Sequence, residues 1–192
     1  SAASDVYKRQ QYIIAGAITG KNPFKALRNM LPAYFTALGT SSSAATIPVS
    51  LESTLKNGIS KPVASFVIPL CATIHLSGSM IKLTLYAFAI VYMANLDIST
   101  GTGLGFIFLL GIMMIAAPGV PGGAVMVAAG LLADMMGFDD GMVALMIAAY
   151  IAIDSVGTAA NVTGDGAIAM IVDKFAGDKN DPSEEESAEA TA

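Results

Sequence analysis

The sequence predicts an all-α membrane protein with two re-entrant helical hairpins and two long, partly unwound spanning helices, and three observations predict it. Hydrophobic residues make up 54% of the 192 residues and charged ones only 13%, with a mean hydropathy of +0.64. A soluble domain carries about 25% charged residues, so this chain needs lipid around it. Pairs of short apolar arms occur twice, one pair meeting at a serine-rich tip and the other interrupted by two prolines and three glycines that cannot continue a helix. The last apolar segment carries polar residues at a helical spacing that puts them on one face.

The net charge of -5 does not describe the body of the chain, because five acids, Asp181, Glu184, Glu185, Glu186 and Glu189, lie in its last stretch. Residues 178–192 read as a disordered acidic tail, leaving a nearly neutral body. No basic stripe or interleaved aromatic set is present, which excludes nucleic acid as a partner. The single cysteine, Cys71, forms neither an internal disulfide nor a zinc cluster and reads as a buried thiol. Residues 1–10 read as a non-native or polar leader unrelated to the apolar body, without the pattern of a secretory signal. The apolar run from Tyr12 to Ile18 is shorter than the ~20 residues of a span, so the chain reads as truncated at its start.

The body, residues 11–177, divides into four segments. Residues 23–57 hold two short arms around Gly39-Thr40-Ser41-Ser42-Ser43, a first hairpin whose tip must be packed in protein or line a wet cavity, since lipid cannot satisfy its backbone groups. Residues 62–95 form a span with a soft centre at Ser77-Gly78-Ser79, where a helix could unwind and offer carbonyls to a ligand. Residues 98–136 form a second hairpin around Pro118-Gly119-Val120-Pro121-Gly122-Gly123. Residues 141–177 form a second span bearing Asp154, Thr158, Asn161 and Asp165, at spacings of four, three and four. A carboxylate at the centre of a span costs about 2.5 kcal/mol or more, so both acids must face a partner. Hairpin, span, hairpin, span is a two-fold repeat of organisation, a pattern of secondary transporters.

Four runs in order, SSSAATIPV (41–49), IPLCATIHLSGS (68–79), APGVPGGA (117–124) and DSVGTAANVTGD (154–165), resemble the dicarboxylate/amino acid:cation symporter family, the sodium:dicarboxylate symporters and glutamate transporter homologues. The resemblance covers about residues 11–177, and NVTGD following Asp154 is its most specific piece. It implies a transport domain that slides by an elevator motion past scaffold helices missing from this chain, in a homotrimer, within a cell membrane crossed several times (the inner one in a bacterium). It implies sodium-coupled symport of an amino acid, and no enzyme activity.

By the same resemblance Asp154 binds the solute ammonium, whose attraction to a carboxylate is weakly screened in a low-dielectric cavity. Weighed against this is an ion pair of Asp154 with Lys82. Ser42 and Ser43 match the first tip, where amides and hydroxyls hold the solute carboxylate, against the reading of a plain serine loop. Val120, Pro121 and Gly122 match the gating second tip, against a static turn. Gly157, Thr158 and Asn161 complete the solute set. Asn161 and Asp165 match sodium ligands, as do Thr73, the Cys71 carbonyl and His75; hard oxygens suit Na+. A helix-bending Asn161 and an interfacial Asp165 are the bland alternative.

Departures from the family pattern bear on the solute. Acidic-solute members carry an arginine where this chain has Gly157, which cannot pair with a second carboxylate; this points to a small neutral amino acid. The alternative is a proton- or sodium-coupled symporter of a dicarboxylate or acidic amino acid. Ser77 stands where the family has a cation-binding Asp, weakening one sodium site. His75 replaces an Asn, leaving H+ coupling or plain hydrogen bonding as its role. Re-entrant loops also build channel filters. No hydrolase triad, phosphate loop or metal cluster supports an enzyme, and no organic cofactor is implied.

Overall fold

The computed structural model describes residues 2–176, and the expected acidic tail lies outside them. Among the described residues every regular element is a helix. α1 runs Ala2–Thr19, α2 Pro23–Asn29, α3 Leu31–Thr40 and α4 Ser43–Leu55. α5 spans Lys61–Ile74, α6 Ser77–Met93 and α7 Thr100–Met113, followed by a 3-10 turn at Met114–Ala116. α8 is Gly123–Met136, α9 Asp140–Ala152 and α10 Asp154–Ala176.

Short polar residues start these helices by accepting orphan backbone N–H groups. Asn22 accepts from Phe24 and Lys25 N–H before α2, Ser99 from Thr102 N–H before α7, and Asp139 from Met142 N–H before α9. α3 packs on α4 around a tip at 41–42, and α7 packs on α8 around a tip at 117–122.

α1 continues through residues 2–10 into the apolar segment without interruption, and two boundaries differ from the sequence reading. The first long helix breaks at His75–Leu76, just ahead of the Ser77-Gly78-Ser79 run that reads as its soft centre. Residues 141–177 are not one helix: α9 and α10 meet at Ile153 with a bend of 61°.

Two apolar cores flank the breaks. One gathers Leu83, Phe106, Leu110, Leu132 and Met146 from α6 to α9; the other gathers Tyr12, Met30, Ile68, Val162 and Met170 from α1, the α2–α3 junction, α5 and α10. α10 lies deepest, with every residue from 157 to 167 buried. At its far end Asp173 accepts from both the N–H and the hydroxyl of Ser60, at 3.0 and 2.7 Å, fastening α10 to the start of α5. The outside is apolar: Phe35, Phe66 and Phe108 are 63%, 67% and 73% exposed. α5 and α6 together form the one stretch among the described residues long and apolar enough to cross a membrane, and α9 with α10 forms a bent second one.

Candidate functional site

Both helix breaks and both hairpin tips meet at one place, and the start of α10 is its floor. Asp154 opens α10 and is buried, as are Thr158, Asn161 and Asp165; the least exposed of the four, Asn161 and Asp165, are at 1%. The polar stripe therefore faces protein rather than lipid or bulk water. Its two carboxylates are both paired. Asp154 Oδ1 lies 3.2 Å from Lys82 Nζ on α6, and Asp154 Oδ2 accepts from the Gly122 N–H at 2.8 Å. Lys82 also donates to the Ile153 carbonyl at 3.1 Å and sits 3.9 Å from the centre of the Tyr150 ring. A buried charge of this kind is tolerated only when paired and hydrogen-bonded, and here each charge has its partners.

The two tips touch above the pair. Ser42 caps α4 by accepting from Ala45 N–H and donates its hydroxyl to the Gly119 carbonyl at 3.0 Å. The Ala44 N–H reaches the same carbonyl at 3.2 Å. Gly119 is held so tightly that a Cβ there would collide with the Ala72 carbonyl oxygen, so the residue must be glycine for the tip to close. Ser43, Ser79, Val120, Tyr150, Asp154 and Thr158 surround a residual cavity of about 10 Å³, near the lower limit for a single water.

Deeper along α10, Asn161 ties the α6 start to the stripe. Its Oδ1 accepts from Gly78 N–H at 2.7 Å and its Nδ2 donates to Ser79 Oγ at 3.0 Å. Both groups belong to the first turn of α6, where backbone N–H groups have no helical partner. One turn further, Asp165 Oδ1 lies 2.7 Å from His75 Nδ1, and His75 Nε2 lies 2.8 Å from Ser77 Oγ.

The structure brings Ser42, Ser43, Val120, Gly122, Asp154, Gly157, Thr158 and Asn161 to this chamber or its walls. Pro121, in the second tip, is exposed. Cys71 is buried, with its carbonyl accepting from His75 N–H. Thr73 is exposed and donates to the Leu70 carbonyl of its own helix. A sodium ion drawing on Asp165 and Asn161 would take over oxygens now used by His75 and Gly78. Among the described residues no group of three His, Cys, Asp or Glu side chains converges as a metal cage.

Two features of the site escaped the sequence reading. Gly157 does lack a cation, but the space above it does not: a Cβ on Gly157 would lie 2.6 Å from Lys82 Cε and 2.9 Å from Nζ. Tyr150 supplies the ring under that ammonium. The available signal was Lys82 as the only cation between Pro62 and Asn95; no spacing rule relates α6 to residue 150.

Comparison with known proteins places the chain. The profile of the sodium:dicarboxylate symporter family matches residues 6–175, and the chain belongs to that family. It is 33% identical over 157 residues to excitatory amino acid transporter 1 of Rattus norvegicus, covering 81% of this chain and 29% of that protein. It is 29% identical over 154 residues to neutral amino acid transporter A of Homo sapiens, covering 80% and 29%. Human excitatory amino acid transporter 5 is 33% identical over 156 residues, covering 81% and 28%. The chain thus spans less than a third of the length of these relatives.

Proposed function

We propose that this chain is the solute-carrying part of a sodium-coupled symporter of amino acids in a cell membrane. The observation that carries this reading is the small chamber between the tips: two hairpin tips joined through Gly119 lie over a buried Asp154 at a helix break. Tip amides and serine hydroxyls suit a carboxylate, and a carboxylate at a helix break suits an ammonium; the two together suit an amino acid. The exposed aromatic and aliphatic faces support a lipid setting, since soluble monomers rarely expose apolar patches of this extent. Family membership and relatives that include transporters of both excitatory and neutral amino acids support the same class of solute. Sodium enters as a co-substrate at Asp165 and Asn161. In the full-length protein the tips gate the chamber and the whole unit moves as an elevator against scaffold helices of a homotrimer.

The bare Gly157 supports a small neutral amino acid. A second reading, an acidic amino acid or dicarboxylate, is favoured by the Lys82 ammonium lying over that glycine. The test is uptake of labelled amino acids by the full-length protein in proteoliposomes under an inward sodium gradient. Sodium-dependent uptake and counterflow of preloaded solute are expected. Uptake without counterflow would mean a channel, and no uptake of any amino acid or dicarboxylate would end the symport reading.

A further inference from the structure

Lys82 is the one charged group of the chamber to which symport of a neutral amino acid gives no use. Its ammonium stands on the carboxylate to which a solute amine would bind, with both side chains more than nine-tenths buried. The remaining cavity of about 10 Å³ admits nothing larger than a water. A solute must therefore displace something, and of the groups on Asp154, Lys82 has the longest flexible tether. Room for it exists because position 157 has no side chain.

We propose that the Lys82 ammonium is a tethered stand-in for the solute amine: it neutralises Asp154 while the chamber is empty and leaves when an amine-bearing solute takes that carboxylate. This rests on the symport reading and goes beyond it by assigning a competitor inside the site. A buried carboxylate without a partner is strongly penalised, so the stand-in lets the second tip close, through Gly122 N–H, on an empty chamber. Competition has a signature: the apparent affinity for an amino acid is reduced by the fraction of molecules in which Asp154 is free. A solute without an amine leaves Lys82 in place.

The test uses the full-length protein in lipid nanodiscs with sodium, as wild type, Lys82→Met and Gly157→Ala. Thermal unfolding is followed alone and with saturating serine, aspartate or succinate. Lys82→Met is expected to unfold at a lower temperature than wild type without solute. The gap should close with whichever amino acid binds and persist with succinate, and the amino acid Kd should fall about tenfold or more. Gly157→Ala should act in the same direction, because its methyl group would push the lysine tip aside, and it carries the test on its own if the methionine variant does not fold. A gap that stays constant with amino acid, a gap that succinate closes equally, or an unchanged amino acid affinity in both variants overturns the stand-in role. If no solute shifts the wild type, the symport reading falls and takes this proposal with it; a wild type that responds beside a constant gap sinks the proposal alone.

Discussion

Changing Asp154 to Asn leaves a side chain of the same shape, and its amide oxygen can still accept from Gly122 N–H, but it removes the charge opposite Lys82. At the observed 3.2 Å, an effective dielectric of 20 puts the lost attraction at about 5 kcal/mol. Lys82 keeps the Ile153 carbonyl and the Tyr150 ring, contacts it already makes in the wild type, so they offset none of that loss. The expected net loss is about 3–5 kcal/mol, the usual result of removing one partner of a buried pair. Replacing both partners should cost far less: Asp154→Asn with Lys82→Met has no buried charge, and the methionine still packs on Tyr150. The assay is a double-mutant cycle of thermal unfolding in nanodiscs without solute. A double variant as unstable as the single Asp154→Asn would refute the reasoning, because the pair would then not be what the site depends on. A single variant as stable as wild type would refute it equally.

Other perturbations probe the neighbouring contacts. Gly78→Ala would place a methyl group 2.7 Å from both the Ala160 Cβ and the Gly157 carbonyl, so α6 must move off α10; a loss of about 1–3 kcal/mol is expected, read as a lowered Tm, and an unchanged Tm would contradict the packing. Gly119→Ala cannot keep the tip against the Ala72 carbonyl; a cysteine placed at Ser42 should then react with a water-soluble maleimide faster than in the parent, and equal rates would show that the tips are not held by this contact. His75→Ala leaves Asp165 without its 2.7 Å partner; its Tm should rise with sodium chloride more than with choline chloride, beyond any such difference in wild type. An identical salt response in the two proteins would remove Asp165 from the sodium site.

The break at 117–122 was legible because its glycines and prolines cannot continue a helix, whatever surrounds them; the one at 41–42 was legible only as a serine-rich interruption between two short arms. The burial of Asp154, Thr158, Asn161 and Asp165 was legible too, since an apolar segment tolerates such a stripe only where it faces protein. The helix breaks depend on partners distant in sequence. Nothing in Ala152-Ile153-Asp154 forbids a helix, yet α9 ends there: the Ile153 carbonyl is taken by Lys82 from 71 residues away, and Asp154 by Gly122. The first break falls at His75–Leu76, ahead of Gly78, because His75 is drawn to Asp165 and the Gly78 N–H to Asn161. The middle of α1 is likewise held by tertiary contact, with Gln11 3.4 Å from His75 and Tyr12 donating to the Thr163 carbonyl at 2.8 Å.

By itself the sequence determined which stretches could be helical, that the Pro/Gly run at 118–123 had to interrupt them and which polar residues needed shelter, because backbone sterics and the cost of exposing charge to lipid are local properties. Only the tertiary structure decided that Asp154 meets Lys82, and that Gly157 leaves the space the lysine fills. Pairings between α6, the second tip and α10 are set by the packing of separate helices, and no periodicity along a single chain encodes them.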